Sequence, residues 1–521
     1  MEFQLNNVSI RLKSGKQIIS RLNFLLNKND KLAIIGEEGN GKSTLIKYIY
    51  NSNLIDTYCY YEGVVNTFSN KIGYLRQNIQ EDYNNVSALT FLLMDDNYQV
   101  NYELYKDYYM IERLFKDFNL DLQILENNRK IMNLSGGEKV KLQLIKLLIN
   151  NVGVLLLDEP TNDIDLNTLI WLENFVKNTD IPVIFVSHDQ EFLRKTANII
   201  LHIEQIKNKT QTIHTLRKCS YDEYLEFRKI KFFRQDSAAY QQKKMINAKK
   251  EVLRKFKNKI EHQMMLAVRQ PTWGRLLAKK MKVVTSSEKK LNKIEKIEYS
   301  SKEEEINVSF SKDVTLISND KMIINIQNYE LKIDNKVLCK NINLTIKGPE
   351  HIVIVGNNGV GKTTLIKEIL RRLQEVPSIV IGYFPQNYDE LLNLESNVVT
   401  YLSSTIGSDK DSITKIMTYL SAVNFLEDEL NYKIKELSSG QRAKVLLLKI
   451  ILEKSNVLVL DEPTRNLSPL SSPKICEILS NFKGVIISVS HDRSYINQVC
   501  DKAYSLDEEG LELVSSNNEF D

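Results

Sequence analysis

The sequence predicts an α/β protein in which two copies of one domain are joined by an antiparallel α-helical hairpin. Four short motifs occur twice in the same order, and three of the four pairs are separated by the same 303 residues. Such a constant offset indicates a duplicated domain. Short apolar runs with the length of buried parallel strands alternate with helical stretches in both copies. Between the copies lies a lysine-rich segment with a seven-residue apolar repeat.

The first copy is predicted to occupy residues 1–220, and the second copy residues 305–521. In each copy an apolar run leads into a glycine-rich loop, and a helix follows the loop. Alternation of such strands with helices indicates a mainly parallel sheet covered by helices. The runs expected in the sheet cores are Lys31–Ile35, Val154–Leu157, Val183–Val186 and Ile352–Val355.

The segment between the copies, residues 221–304, is predicted to form two long helices. Apolar residues recur every seven positions on each side of a break near Pro271, which is typical of a coiled-coil seam. The first helix is expected from about Tyr224 to Gln263, on the order of 60 Å long, and the second from Pro271. The expected seam residues are Ile246, Leu253, Phe256 and Ile260 in the first helix, and Leu277, Met281, Val284 and Leu291 in the second.

The positive charge of the chain is concentrated in this hairpin. Residues 225–296 hold 21 Lys and Arg against 6 Asp and Glu, whereas the rest of the chain has a net charge of −11. A basic segment between two mildly acidic domains is typical of a surface that binds a polyanion. A lysine-rich helical linker that only improves solubility has the same composition, so charge alone leaves both interpretations open.

The composition argues against several other classes of protein. The sequence contains no apolar stretch of about 18 residues, so it predicts no membrane domain. The N-terminus lacks the basic and apolar regions of a secretion signal, and the five cysteines form no CxxC pair. These features indicate a reducing, cytoplasmic location and argue against a zinc or iron–sulfur site.

Two glycine-rich loops match the GxxxxGK[ST] pattern of a phosphate-binding loop. Glycines let backbone N–H groups curl around phosphates, and the N-terminus of the following helix adds positive potential. The pattern predicts ATP as the ligand, with Lys42 and Lys362 at its β- and γ-phosphates and the hydroxyls of Ser43 and Thr363 on Mg²⁺. The residues predicted to bind the nucleotide are Gly36, Glu37, Glu38, Gly39, Asn40, Gly41, Lys42, Ser43 and Thr44 in the first loop, and Gly356, Asn357, Asn358, Gly359, Val360, Gly361, Lys362, Thr363 and Thr364 in the second.

Each copy also contains an apolar strand that ends in Asp-Glu, at Asp158 and Glu159 and again at Asp461 and Glu462. The aspartates are predicted to hold Mg²⁺ through water, and the glutamates to act as general bases that orient the attacking water. Phosphoryl transfer depends mainly on positioning and charge neutralisation, so these few groups suffice for ATP hydrolysis. Further candidates follow strands at matching positions: Gln77 and Gln386 for Mg²⁺ or the water, and His188 and His491 for the γ-phosphate.

The sequences LSGGE at Leu134–Glu138 and LSSGQ at Leu437–Gln441 are serine- and glycine-rich turns that open helices. They resemble the signature of ABC-type ATPases, in which the signature of one domain completes the ATP site of the other. The resemblance implies a monomer that pairs its own two domains. The residues it places opposite the second loop are Ser135, Gly137 and Glu138, and those opposite the first loop are Ser438, Gly440 and Gln441.

The whole chain resembles the ABC-F family, which combines two ABC-type ATPase domains with a charged helical-hairpin linker and has no membrane domain. This resemblance implies ATP-dependent binding to the ribosome at the tRNA exit site, with the linker reaching toward the peptidyl-transferase centre. Two roles remain open, namely protection of ribosomes from antibiotics and the rescue or regulation of stalled ribosomes. A transporter ATPase that docks on separate membrane subunits is an alternative of another class, although such docking needs no basic hairpin.

The segment after the second Asp-Glu pair favours the resistance role. Thr464–Leu470 contains an Arg-Asn-x-Ser-Pro sequence that resembles resistance-type members. Ser468 cannot supply the carboxylate that Asp165 supplies in the first copy, so we expect the two ATP sites to differ in hydrolysis or in domain coupling. The short tip of the hairpin argues in the other direction, because long tips are expected of several drug-protecting members.

The tip of the hairpin is predicted to contact RNA. Arg and Trp stack on unpaired bases, which is how proteins bind irregular RNA. An apolar turn is equally a packing requirement of a coiled coil, so both interpretations stay open. The residues expected to touch rRNA or the end of a tRNA are Met264, Met265, Leu266, Arg269 and Trp273.

Overall fold

The computed structural model of the protein describes residues 2–37, 39–68, 70–77, 79–95, 99–101, 108–206, 211–266, 271–292, 308–310, 317–318, 321–333, 336–465 and 467–516. The chain forms two compact units, one made of Met1–Tyr221 with Glu303–Asp521 and one of Asp222–Lys302. The larger unit contains two sheet-bearing domains, and the smaller unit is helical. None of the described helices has the length and apolar character that spanning a membrane requires.

The first domain is built on a six-stranded sheet with the strand order β5-β6-β7-β3-β8-β9. Among its strand pairs, β8–β9 is antiparallel and the others are parallel, which confirms the predicted mainly parallel sheet. A second, antiparallel sheet has the order β2-β1-β4. The strands are β1 (Phe3–Leu12), β2 (Gln17–Leu26), β3 (Lys31–Ile35), β4 (Cys59–Asn66), β5 (Ile72–Leu75), β6 (Val154–Asp158), β7 (Val183–Val186), β8 (Ile199–Ile206) and β9 (Gln211–Arg217). The helices are α1 (Lys42–Tyr50), α2 (Ala88–Leu93), α3 (Tyr108–Asp117), α4 (Gln123–Glu126), α5 (Gly136–Ile149), α6 (Leu166–Asn178) and α7 (Gln190–Thr196).

The central strands of this sheet are buried along their whole length and are apolar except for Lys31 at the start of β3 and Asp158 at the end of β6. Every residue of β3, β6 and β7 is buried. Strands of this kind appear in the sequence as continuous Val, Ile and Leu runs rather than as an alternation. The observed bounds of β3 and β7 are those expected from the sequence, and β6 extends one residue further, to Asp158.

The smaller unit contains two helices that pack against each other through an apolar seam. Ile260, Leu277 and Val284 form its buried centre, with Leu253, Met264 and Met281 packed against them. Lys257 Nζ of the first helix lies 3.9 Å from Glu288 Oε2 of the second. The first helix ends at Leu266 and the second begins at Pro271, so two helices that pack side by side after so short a connection run antiparallel. The helices are α8 (Tyr221–Leu266) and α9 (Pro271–Asn292).

The prediction that Phe256 belongs to this seam is wrong, because its side chain is 59% exposed. The second helix packs instead on the side of Lys257 and Met264, which lie four residues after Leu253 and Ile260. A seven-residue repeat defines one row of the seam, but it does not say whether the second row lies three or four residues further on. The first helix also starts three residues earlier and ends three residues later than expected.

The second domain repeats the main sheet of the first with the order β13-β14-β15-β12-β16-β17, and its β10–β11 pair forms a separate antiparallel sheet. The strands are β10 (Met322–Ile333), β11 (Lys336–Lys347), β12 (His351–Val355), β13 (Ile381–Phe384), β14 (Val457–Asp461), β15 (Val485–Val489), β16 (Lys502–Leu506) and β17 (Leu511–Ser516). The helices are α10 (Lys362–Leu373), α11 (Val398–Ile406), α12 (Lys410–Ala422), α13 (Ser439–Leu452), α14 (Ser472–Ser480) and α15 (Arg493–Val499).

The parallel order of the strands explains why distant motifs meet. In the first domain, β5, β6, β7 and β3 are adjacent in that order. The carboxyl ends of parallel strands lie at the same edge of a sheet, where α/β proteins bind their ligands. Each of these four strands has a motif at or just after its carboxyl end, and the second domain repeats the arrangement; the motifs of the first domain are Gln77, Asp158, His188 and the first glycine-rich loop.

Candidate nucleotide-binding sites

The two glycine-rich loops, residues 36–43 and 356–363, have closely similar geometry. Gly41 lies immediately before α1 with φ of 85°, and a Cβ there would lie 2.0 Å from Ile18 Cγ2, so only glycine fits. Lys42 Nζ donates to the carbonyls of Gly36 and Glu37 at 2.8 and 3.0 Å. The second lysine repeats these contacts, so each ammonium lies over its loop, where phosphate oxygens bind.

Other predicted loop residues hold the loops in place. The Asn40 side-chain amide donates to the Ile203 carbonyl of β8 at 3.0 Å and is buried. Val360 packs against the apolar core of the second domain. Asn358 donates through its amide to the Asp163 carbonyl of the first domain at 2.6 Å. Glu38 lies outside the described residues.

The groups beside each loop fit a hydrated divalent cation. Ser43 Oγ donates to Asp158 Oδ1 at 3.0 Å, and the Tyr74 hydroxyl donates to Asp158 Oδ2 at 3.2 Å. In the second domain, Asp461 Oδ2 is buried and has no hydrogen-bond partner among the described residues. A buried carboxylate oxygen without a donor is unfavourable unless a cation or its water binds there. Burial raises the pKa of both aspartates, so a cation would also stabilise their ionised form.

The carboxylate of Glu159 in the first domain is held by three side chains. His188 Nε2 lies 3.2 Å from Oε1, and Gln77 Nε2 and Asn162 Nδ2 donate to Oε2 at 3.0 and 2.6 Å. Burial alone would raise the pKa of Glu159, but His188, Lys42 and Asn162 together lower it to about 2. Glu159 is therefore an ionised carboxylate with a fixed orientation, which can accept a hydrogen bond from the attacking water.

The carboxyl group of Glu462 in the second domain has a different environment. Its hydrogen bond comes from the His491 backbone N–H at 3.4 Å, while His491 Nε2 lies 3.9 Å from Oε1, beyond hydrogen-bond distance. Burial and the charge of Asp461 raise the pKa of Glu462 to about 8. Burial lowers the pKa of His491 to about 4. The two candidate bases therefore differ in both orientation and ionisation.

One exchange between the copies accounts for part of this difference. The 303-residue offset places Arg465 at the position that corresponds to Asn162. The Arg465 guanidinium does not bind Glu462 but donates through Nη2 to Asp163 Oδ2 of the first domain at 2.6 Å. Among the described residues, Glu462 consequently has no counterpart of the Asn162 amide that donates to Glu159. Comparison of the two copies reveals this difference between Asn162 and Arg465, but the sequence does not predict which group the arginine contacts.

Each loop shares a cavity with the signature segment of the other domain. A cavity of about 300 Å³ in the first site is lined by Gly39, Gly41, Lys42, Ser43, Thr44, Gln77, Glu159, His188, Ser438 and Ser439. A cavity of about 640 Å³ in the second site combines Lys362, Thr363, Thr364, Gln386, Asp461 and His491 with Gly136 and Lys139 of the first domain. Two composite sites therefore form between the domains of one chain.

Not every predicted signature residue faces a cavity. Ser135 begins α5 in a capping box, in which its Oγ accepts from the Glu138 N–H and Glu138 Oε2 accepts from the Ser135 N–H. A Cβ on Gly137 would lie 2.4 Å from Thr168 Oγ1 of its own domain. Ser438 and Gln441 form the same capping box at the start of α13, where Gly440 is buried. The carboxyl-terminal residue of each signature therefore orients its helix, while Gly136, Ser438 and Ser439 line the cavities.

Further contacts between the two domains were not predicted. The buried side chains of Arg493 and Glu173 form an ion pair, and Lys195 Nζ lies 3.4 Å from the other oxygen of Glu173. Lys444 Nζ of α13 approaches Glu37 Oε1 of the first loop at 3.9 Å. In the other copy, Gln190 corresponds to Arg493, Cys476 to Glu173 and Lys141 to Lys444. The motif pairs alone therefore do not reveal these contacts.

The residues predicted at the hairpin tip separate into two groups. Met264 packs against the apolar seam, which is the packing role considered for it. Met265, Leu266 and Trp273 are 76%, 69% and 45% exposed. Arg269 lies outside the described residues. Met265 and Leu266 therefore present most of their apolar surface to solvent, whereas Trp273 is about half buried.

Comparisons with known proteins agree with this geometry. The profile of the family described as "ABC transporter" matches residues 19–162 and 339–465, about half of the chain. The ribosome protection protein VmlR of Bacillus subtilis is 30% identical over 98% of this chain and 87% of its own length. ABC transporter F family member 5 of Arabidopsis thaliana is 26% identical over 98% of this chain and 75% of its own length.

The fold is similar to that of the archaeal ribosome recycling factor aABCE1, solved in complex with the ribosomal stalk protein aP1. The TM-score is 0.58 at 16% identity, and the match covers 98% of this chain and 90% of that one. This likeness concerns the fold of two paired ATPase domains. The duplicated loops, the composite sites and relatives that match nearly the whole chain show that this protein belongs to the ABC transporter family as an ABC-F ATPase, and it hydrolyses ATP.

Proposed function

We propose that this protein is a cytoplasmic monomer that binds the ribosome at the tRNA exit site and protects it from antibiotics. The observation that supports this proposal most directly is the basic hairpin with an exposed apolar tip between two ATPase domains. A relative that matches nearly the whole chain is named a ribosome protection protein. In this proposal the hairpin reaches toward the peptidyl-transferase centre and contacts rRNA and tRNA.

Hydrolysis in the proposed mechanism uses groups that the structure already orients. Lys42 and Lys362 would bind the phosphates of ATP. Asp158 and Asp461, with Ser43 and Thr363, would hold Mg²⁺, which neutralises phosphate charge when bound. In the first site Glu159 takes a proton from the attacking water, while His188 and Gln77 keep its carboxylate in place. Ser438 of the opposite signature closes the first site and Gly136 of the opposite signature closes the second, so ATP stabilises the paired arrangement of the domains only when both domains contribute.

The surface of the hairpin is suited to a phosphate backbone. Arg254, Lys255, Lys279 and Lys280 are exposed on α8 and α9. Lys and Arg on a surface neutralise phosphates with little sequence selectivity, while exposed aromatic and apolar groups stack on unpaired bases. Trp273, Met265 and Leu266 supply such groups at the tip. This combination favours single-stranded or irregular RNA over a regular duplex.

Removal of charge from the hairpin is expected to weaken ribosome binding and reduce its salt dependence. Replacement of Arg254, Lys255, Lys279 and Lys280 by glutamine removes up to four phosphate contacts, so the slope of log K against log salt is expected to fall by about 3. Ribosome pelleting at several salt concentrations measures this slope. A matched variant in which glutamine replaces four exposed lysines of the ATPase domains serves as the control: Lys28, Lys177, Lys410 and Lys483. Equal effects of the two variants would show that the hairpin has no special role in binding.

The length of the tip favours a second candidate function, regulation or rescue of stalled ribosomes. α8 ends at Leu266 and α9 begins at Pro271, so the tip is short. Cell-free translation separates the two roles. A protecting protein restores translation that an antibiotic has inhibited, whereas a rescue factor restores translation on a stalling message without any drug. Restoration in the second assay alone would replace the resistance role.

A further inference from the structure

One loop of the second domain contacts both the first ATP site and the first residue of α8. The Leu467 carbonyl lies 2.6 Å from His188 Nδ1, and His188 Nε2 faces Glu159 at 3.2 Å. Two residues further on, the Pro469 carbonyl accepts a hydrogen bond from the Tyr221 hydroxyl at 3.2 Å. Tyr221 has no exposed surface, and it begins the helix that continues into the hairpin.

The Pro469 carbonyl has no hydrogen-bond partner within a helix because α14, the helix that follows it, begins later than the corresponding helix α6 of the first domain. In the first domain Asp165 caps α6, which begins at Leu166, the position that corresponds to Pro469. In the second domain Ser468 Oγ accepts from the Ser471 N–H, and α14 begins at Ser472. A helical partner for the Pro469 carbonyl would be the N–H of residue 473, which is a proline and has none. Burial of this carbonyl therefore requires another donor, which Tyr221 supplies.

The Leu467 carbonyl determines how His188 is presented to Glu159. A carbonyl oxygen only accepts hydrogen bonds, so His188 Nδ1 carries a proton and the ring is oriented with Nε2 toward the carboxylate. The second site has no counterpart among the described residues. There His491 Nε2 is buried without a hydrogen-bond partner. Among the described residues, a loop of the opposite domain therefore orients the histidine in the first site but not in the second.

We propose that Tyr221 is a positioning residue of the first ATP site. Its hydroxyl holds the segment Leu467–Pro469, the Leu467 carbonyl holds His188, and His188 orients the Glu159 carboxylate. These hydrogen bonds connect Tyr221 to Glu159 by way of Pro469, Leu467 and His188, so the effect of Tyr221 on the carboxylate passes through the histidine. Since Tyr221 is the first residue of α8, the position of this helix start and the geometry of the first site depend on each other. This inference rests on ATP hydrolysis and is independent of the ribosome.

The test is Tyr221→Phe, which removes the hydroxyl and keeps the buried ring. In a Glu462→Gln background, single-turnover hydrolysis reports on the first site. We expect its rate constant at saturating ATP to fall about three- to tenfold, as for the loss of one oriented hydrogen bond. The half-saturating ATP concentration is expected to stay unchanged, because Lys42 and its loop are not affected. In a Glu159→Gln background the same substitution is expected to leave the second site unchanged.

A double-mutant cycle with His188→Gln separates positioning from general destabilisation. If Tyr221 acts through His188, its substitution has no further effect on the rate once the histidine is absent. Histidine ¹⁵N NMR of the protein with a non-hydrolysable ATP analogue gives a second readout, in which Tyr221→Phe shifts the tautomer signals of His188. Additive rate effects, equal losses at both sites, or unchanged His188 signals would each overturn the proposal. The thermal midpoint shows whether the variant is folded.

Discussion

Glu159→Gln is expected to remove most of the fast ATP hydrolysis of this protein, whereas Glu462→Gln is expected to leave most of it. Three side chains hold the Glu159 carboxylate, and its pKa is lowered to about 2. In the part of the chain that the structure describes, the Glu462 carboxyl group accepts one long hydrogen bond, from the His491 backbone, and its pKa is raised to about 8. General-base catalysis contributes about 10²- to 10⁴-fold, so loss of Glu159 is expected to slow the first site at least a hundredfold.

Single-turnover hydrolysis measures this asymmetry directly. Steady-state rates are less informative, because a site that cannot hydrolyse ATP also delays reopening of the other. The Glu462→Gln variant is expected to show a fast burst, and the Glu159→Gln variant a slow one. ATP affinity measured by equilibrium binding provides the control, since neither substitution alters a loop lysine. Equal burst rates in the two variants would contradict the inequivalence of the sites.

Glu173→Met is expected to destabilise the paired arrangement of the two ATPase domains by about 3–5 kcal/mol, because it leaves the buried Arg493 without its carboxylate. The Arg493 and Glu173 side chains are only 9% and 5% exposed and belong to different domains. Arg493→Met is expected to have a smaller effect, since Lys195 remains 3.4 Å from Glu173. The double variant is expected to recover part of the loss, because apolar side chains of similar volume replace a buried ion pair without an unpaired charge.

Thermal unfolding with saturating ATP, in a Glu159→Gln/Glu462→Gln background, measures this effect on the paired form. Lys195→Met serves as the control, since the Lys195 side chain is 48% exposed and its removal is expected to change stability by less than about 1 kcal/mol. The coupling between Glu173 and Arg493 follows from the two single variants and the double variant. Single effects below about 1 kcal/mol that add without coupling would show that the ion pair does not stabilise the pairing.

The elements that the sequence predicted well are those defined by local chemistry. The bounds of β3 follow from an apolar run that leads into a glycine-rich loop, and the paired motifs located both loops and both Asp-Glu pairs. The parallel order of the strands then brought these motifs together, as the strand–helix alternation indicated. Pro271 marked the start of α9, because proline is tolerated in the first turn of a helix.

The remaining features depend on contacts between residues that are far apart in sequence. Nothing local distinguishes Arg465 from an exposed arginine, yet its partner is Asp163, 302 residues away. The expectation that Ser468 makes the two ATP sites unequal stays a prediction. The structure adds a physical reason for such a difference between the sites, which the sequence did not contain. Ser468 and Pro469 shift the start of α14 and leave a carbonyl for Tyr221. The exposure of Phe256 depends likewise on where the second helix packs.

Co-sedimentation of the Glu159→Gln/Glu462→Gln variant with purified ribosomes, with and without ATP at moderate salt, tests the proposed function most directly. Hydrolysis is blocked in this variant, so bound ATP is expected to keep the domains paired and the protein on the ribosome. We expect pelleting that depends on ATP and is lost when Lys42 and Lys362 are both replaced by alanine. No pelleting under any nucleotide condition would contradict a ribosomal role and favour an ATPase subunit that docks on separate membrane proteins.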